Sequence, residues 1–596
     1  MMQPDVVRIG GGSAGYGDGA MAAPVLIRDG EIDYLMLDYL SEIYMPMAAR
    51  ARLADPQMGY VPYFPTEFYP RIAAALDQTG TRLVTNAGAV NPRACARAMA
   101  AEAEKLGLRP CIAVVDGDDL LGRAEAFRAT GLLSAQMPEG ANYTGIHAYL
   151  GAFPIARALA LGADIVITGR VVDSVLALGP LIHEFGWAAD ACDLLGAGSL
   201  IGHILECGAQ ASGGLFTDWR EVGDYADIGY PIAEVRRDGT AIITKPPGTG
   251  GLVNVGCVAE QILYEIDDPQ SYRLPDVTVD FSQVAVEQVG EHRVKVSGAK
   301  GRTPGPDLKA IATWDDGFIG SFGFFMRGPD AAAKARANAE AVLKRGQTML
   351  IERNMPTVRR SLIEVIGEEE SYGAHARAMS AREVFCRVSL DVEQSDVFTL
   401  IRQEANVGMV SMAPGMASSM MLAGPLPMAR MEALMLPAAE VHAQVVIDDR
   451  VEHVIRAPHQ QGKAPSPFLP PPCDTPLGAC VAVPLSRLAW TRSGDKGDSC
   501  NVGVVARHQD YLPYIAAALT EAEVGHRYAA MFEGKPRVER YYLPGIHALN
   551  FVLRGGLDGG CTVSLRFDTM GKSAAQDLLD VPVPVPAWIC DAVGAE

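Results

Sequence analysis

The feature that most constrains this chain is a regular alternation across its first 175 residues. Short apolar, β-branched runs fall at 6–9, 34–40, 82–90, 111–115 and 164–168. Segments of helical character lie between them at 70–76, at 92–106, which opens on Pro92, and at 152–161. Strand and helix alternating at this spacing predict a parallel sheet with helices on its faces and right-handed crossovers. Sheets of this kind bind ligands outside the C-terminal ends of their strands. That rule selects Gly10–Gly12, Asp38 with Glu42, Asn86 with Gly88, Asp116 with Asp118, and Thr168–Arg170 with Asp173.

The rhythm changes after about residue 220. A strand, a glycine loop and a helix to about residue 266 are followed by alternating runs at 277–286, 293–297, 308–314 and 318–326 and by a helix at 331–344. A second, α+β lobe is expected over about 221–456, after a first lobe over about 1–220. Residues 457–478 hold seven prolines without apolar periodicity and read as a linker. Residues 479–596 are expected to form a small C-terminal α/β sandwich. A chain of 596 residues with 49% hydrophobic and 20% charged residues has the material for two or three such globular units.

The formal net charge of −20 disfavours nucleic acid and anionic lipid as partners, while leaving room for a local basic pocket. Eleven cysteines are scattered with no C-x-x-C pair and no zinc spacing, which suits reduced thiols in a cytoplasmic protein. No signal peptide and no membrane span is expected. A homo-oligomer is expected for a cytoplasmic chain of this size.

Three glycine loops stand out, the first two as candidates for anion binding. Gly10, Gly12 and Gly15, with Gly11 and Ser13 between them, match G-x-G-x-x-G directly after a strand, and Asp38 lies where a ribose-binding acid would stand. The helix that should follow is interrupted by Gly17, Gly19 and Pro24, so a tight turn at 10–19 beside a pocket for another ligand is the alternative. The second loop joins Lys245 to Gly248, Thr249, Gly250 and Gly251 ahead of a helix and has the ingredients of an anion cradle, or of a plain strand-to-helix turn capped by Thr249. The third runs from Arg492 through Ser493, Gly494, Asp495 and Lys496 to Asn501. It is either a functional loop or a solvated charged turn.

Among reactive groups, Arg170 and Asp173 share one strand end, where the arginine suits a carboxylate or phosphate and the aspartate suits a base or a helix cap. Glu206 is an acid/base candidate. Its neighbour Cys207 closes a helix, where the dipole opposes a thiolate, so a packed cysteine is the plainer reading. His147, His183 and His203 are further candidates, with structural roles the plainer account. Asp116, Asp118 and Asp119 offer oxygen ligands for Mg²⁺, although an acidic turn after a strand is the commoner reason for them and no metal is assigned.

The stretches "GGGSAGYGDGAMAAPVLI", "VITGRVVDSVLALGPLIHEFGW", "LECGAQASGG" and "KPPGTGGLVNV" resemble the core domain of the acyclic terpene utilisation protein AtuA family. "RSGDKGDSCNVGVVAR" resembles the ferredoxin-like domain that accompanies that core. The resemblance implies an AtuA-like core over 1–456 and a ferredoxin-like domain over 479–596. It also implies a place in the breakdown of citronellol and geraniol, which proceeds through coenzyme A thioesters of branched acids. The expectation is a lyase of hydratase or dehydratase type, with Asp173 or Glu206 as base and Arg170 with backbone N–H groups for the thioester or carboxylate. Coenzyme A would then enter as part of the substrate rather than as a separate cofactor. The alternatives are an NAD(P)-dependent oxidoreductase and a non-catalytic partner subunit.

Overall fold

The computed structural model describes residues 4–133, 143–377, 380–448, 450–456, 465–473 and 480–594. Of the proline-rich stretch at 457–478, residues 457–464 and 474–478 lie outside the described residues, and 465–473 carry neither helix nor strand.

The expected parallel sheet is present. It is formed by β1 (Val6–Ala14), β2 (Tyr34–Asp38), β3 (Arg82–Thr85), β4 (Ile112–Asp116) and a later strand, Ile165–Thr168. The parallel order is β1-β2-β3-(Ile165–Thr168)-β4. Antiparallel strands extend both edges to eleven among the described residues. Ile232–Arg236, Ala241–Thr244, Arg293–Ser297 and Ala285–Gly290 lie beyond β1, and Ala443–Ile447 and Arg450–Val454 lie beyond β4. Strands from both sides of residue 220 thus share one sheet, and the whole is a mixed α/β architecture.

Local chemistry accounts for the helices between the strands. Pro92–Lys105 starts on a proline, whose missing N–H is no loss at a first turn, and Asn91 accepts the bond from Ala94 N–H. Val175–Phe185 stops at Gly186 in the left-handed region, φ 66°. The strand Tyr143–Ala148 leaves the parallel sheet and pairs with Asp307–Arg327 of a second, antiparallel sheet, whose other members are Val358–Ile366, Glu383–Val392 and Met416–Pro437. That detour carries His147 across to the strand ends of the first sheet.

The C-terminal unit is a four-stranded antiparallel sheet in the order Ala489–Lys496, Ser499–Ala506, Ala548–Leu553, Val538–Leu543, with short helices at Leu512–Ala518 and Glu521–Arg527. It has its own core around Val502, Val504, Phe551 and Tyr528. Val505, Leu543, Ile546 and Ala548 instead join the large core of the first sheet, so apolar burial is continuous between the two.

Candidate functional site

The glycines of residues 10–12 are strand, not turn. β1 runs on to Ala14, and Gly11 N–H is bonded to Pro231 O at 2.9 Å. A Cβ on Gly11 would stand 2.5 Å from Leu205 O, and one on Gly12 would stand 2.9 Å from the methyls of Leu35 and Leu37. Gly11 lets the helix Cys192–Leu205 lie directly on the sheet, and Gly12 makes room for the leucines on the other face. In the loop beyond, the chain's own groups occupy the amides. Asp18 accepts from Ala14 N–H at 2.9 Å and Gly19 N–H at 2.6 Å, and Tyr63 Oη accepts from Gly17 N–H at 2.6 Å.

The same helix is pressed against its predecessor, since a Cβ on Gly202 would meet Ser174 O at 2.0 Å. Close approach on two sides delivers its last turn, His203 and Glu206, to the strand ends. Glu206 is 9% exposed, and its Oε1 lies 3.0 Å from His203 Nδ1. Arg170 bonds Asp173 Oδ1 at 2.8 Å and lies over the Tyr149 ring at 4.1 Å. Ser174, not Asp173, takes the N-cap position of Val175–Phe185, which leaves the aspartate to the arginine. Asp38, at the end of β2, accepts from Asn86 Nδ2 at 2.6 Å and from Leu40 N–H at 3.1 Å. Asp38, Asn86, Arg170, Asp173 and Glu206, far apart in the chain, therefore meet at one rim.

The C-terminal unit closes over that rim with residues 492–498. Gly494 makes the approach possible, because a Cβ there would sit 2.5 Å from the Tyr264 ring and 2.9 Å from Glu265 Cγ. Arg492 bonds Gln210 and lies over Tyr264 at 4.6 Å. Ser493 Oγ accepts from Ala575 N–H at 2.9 Å. Lys496 passes 5.2 Å from the centre of the Tyr272 ring. Asn501 accepts from Glu265 N–H at 2.9 Å and donates to Leu263 O at 2.6 Å, while Asn550 donates to Ile266 O at 2.9 Å and Asp267 O at 2.8 Å. Together they hold the segment in which Glu265 adopts a left-handed φ of 56°. Lys572 pairs with Glu265 at 2.9 Å and Asp495 at 3.1 Å and touches Tyr264 Oη.

Electrostatics follow from crowding. Burial, then repulsion from Asp173, raises the Asp38 and Glu206 carboxyls well above the usual carboxylate range. Burial raises Glu265 to about 7 and Asp495 to about 8. Burial and the Lys496 charge take His203 down to about 4, so its ring is neutral. Lys496 is exposed to solvent at the mouth of the recess, beside the Tyr272 ring. Desolvation there is outweighed by Tyr272, Glu265, Glu206 and Asp173, and it remains an ammonium. Arg170 remains charged for the same reason, with Asp173, Tyr149 and Asp38 opposing its desolvation. The recess thus combines cations with carboxyls whose ionisation burial opposes.

Other candidates from the sequence have different surroundings. Cys207 stays a thiol, its pKa driven up by burial and by Glu206. Lys245 turns back onto its own loop, donating to Thr249 O at 2.6 Å, and the next helix is capped by Asn254 rather than Thr249. Asp116 pairs with Arg93, Asp119 with Arg52 and Asp118 with His147, so the acidic turn faces three separate partners. His183 lies 3.2 Å from an Arg82 nitrogen, beside Glu184. Glu42, Asp495 and Cys561 bring ligand-type atoms within 4.8 Å of one another, with Lys572 already on Asp495. Glu265, Tyr272 and Lys572 are site residues that no motif announced; Tyr272 packs on His203 within the first unit, whereas Glu265 and Lys572 meet only through the docking of the two units.

A parallel α/β sheet with acids and cations at its strand ends, completed by a small α/β domain from the same chain, defines a two-module protein with one composite site. The chain belongs to the acyclic terpene utilisation protein AtuA family, whose model matches residues 7–447, and the AtuA ferredoxin-like domain matches residues 483–584. No curated protein and no solved structure matches it. Among the described residues no helix is long and apolar enough to cross a membrane.

Proposed function

We propose that this protein is a lyase of the hydratase/dehydratase type, acting on a branched acyl thioester or the related organic acid within acyclic terpene utilisation. The observation that carries the reading is the convergence of Arg170 and Lys496, from the two modules, on the buried Glu206 carboxyl. Dehydration of a 3-hydroxyacyl group needs charge stabilisation at the carbonyl oxygen and a proton for the departing hydroxyl. Arg170 and Lys496 supply the first. Glu206 supplies the second, as a carboxyl whose pKa burial and Asp173 raise toward that of a general acid. Asp173 holds the Arg170 guanidinium in place. A dinucleotide reading gains nothing from Gly10–Gly12, which are covered by Ile32, Leu35 and Leu205.

The test is ligand-dependent thermal stabilisation of the full chain, followed by assay. A ligand at 100 times its Kd adds about 2.7 kcal/mol. Stabilisation by 3-methylcrotonyl-CoA, isovaleryl-CoA or the free acids, and hydration of the unsaturated member, is the expected result. Stabilisation by NAD⁺ or NADP⁺ alone would overturn it, as would indifference to every acyl compound.

A further inference from the structure

Arg170 also borders a second space, beside the recess that Lys496 enters. Met45, Ile311 and Met431 form apolar walls there, and its polar groups include Glu42, His147, Tyr149 and Arg170. His147 is 4% exposed and Asp118 is 1% exposed. The Nδ1 of His147 lies 3.0 Å from Asp118 Oδ2, while its Nε2 is buried and has no hydrogen-bond partner. A buried imidazole nitrogen left unpaired is costly, about 1–3 kcal/mol.

Two glycines hold this arrangement open. A Cβ on Gly169 would fall 2.2 Å from Asp118 Oδ1, so only glycine lets the carboxylate stand where it meets the ring. A Cβ on Gly145 would come within 3.0 Å of Nε2 and cover it. The strand Tyr143–Ala148 is fixed on both sides, by pairing with Asp307–Arg327 and by Ala148 N–H bonding to Asp118 O at 2.9 Å. The fixed strand and the Asp118 contact at 3.0 Å together hold the ring against that carboxylate. With Asp118 taking the Nδ1 proton, the Nε2 lone pair is free to accept another.

We propose that His147 is the proton acceptor of this site, that Asp118 is its positioning residue, and that the adjoining pocket takes the apolar branch of an acyl group whose carbonyl oxygen rests on Arg170. In the step, the C–H bond next to the carbonyl breaks and an N–H bond forms at Nε2. The electron pair moves into the carbonyl unit as an enolate, whose oxygen charge Arg170 meets. In the reverse direction the imidazolium returns the same proton. This assignment rests on the lyase reading and narrows its substrate to acids with a short apolar branch and an acidic C–H beside the carbonyl.

The experiment separates the two. The full chain is incubated with isovaleryl-CoA in D₂O, deuterium at the carbon next to the carbonyl is read by mass spectrometry, and binding is read by thermal shift. A saturated thioester cannot lose water, so exchange reports proton abstraction alone. The wild-type chain should bind and exchange. His147→Gln should bind within about threefold of wild type and lose exchange by about 100-fold or more. Asp118→Asn should lower the saturated exchange rate by roughly 10-fold, with half-saturation unchanged, a split that general loosening of the fold would not give. His147→Gln exchanging at the wild-type rate overturns the assignment and leaves the lyase reading standing. Wild-type binding without exchange also overturns the assignment. No binding at all removes the substrate class, and the assignment falls with it.

Discussion

Two glycine-bearing stretches, Gly10–Gly19 and Arg492–Asp498, look alike on paper and act in opposite ways. In the first, glycine removes volume. Leu205 fills the space over Gly11, and Asp18 and Tyr63 take up the loop amides. In the second, Gly494 again removes volume, but its neighbours are charged, and the close approach carries Asp495 and Lys496 into a recess built by the other module. A glycine thus reports that two pieces of chain come close. The residues beside it decide whether the closeness is packing or chemistry.

The comparison breaks most sharply at Lys496. Lys496→Met should cut turnover of the accepted acyl thioester by about 10²–10³-fold, the usual cost of one charge-stabilising donor, with urea stability nearly unchanged. Comparable activity in the variant would reduce the second stretch to a packing element like the first. Next, Gly11→Ala should destabilise the fold by about 1–3 kcal/mol through overpacking against Leu205, with turnover per folded molecule preserved. A large loss of turnover without loss of stability would restore a ligand role to Gly11. Asn501→Ala leaves Glu265 N–H and Leu263 O without their partners and should cost about 1–3 kcal/mol, read as a lower urea midpoint.

The smallest effect concerns pH. Glu260, 3% exposed, is raised by burial to about 8, and Glu265 is raised to about 7. The folded state therefore binds protons that the unfolded chain has already released, so stability falls as pH rises from 6.5 to 8. His203 acts below that window, because its folded pKa is about 4 and its unfolded one is near 6.5. The fall should be on the order of 1 kcal/mol in denaturation midpoints, and Glu260→Gln should flatten it.

Much of this was legible in the sequence. Alternation placed the parallel strands, and the strand-end rule named Asp38, Asn86, Arg170 and Asp173, because both depend on local periodicity. The glycines at 10–12 misled as a turn, since packing under a helix and wrapping a phosphate both call for an absent side chain. Glu265 and Lys572 were silent because their meeting is a tertiary event between residues some 300 positions apart, 307 for the pair. His147 was visible only as a lone histidine until the strand Tyr143–Ala148, which the alternation did not announce, paired with the second sheet and brought the ring to Asp118.

The shared apolar core and the asparagine clamp have a consequence for how this chain can be divided. Cut between the modules, the larger piece would expose the surface that Val505, Leu543, Ile546 and Ala548 cover, and the smaller would carry Asn501 and Asn550 with no backbone to grip. Each would be half of an obligate heterodimer. The peptide between them sets a stoichiometry of one to one and a high effective concentration, and two separate polypeptides made together would have the contacts to rebuild the same assembly.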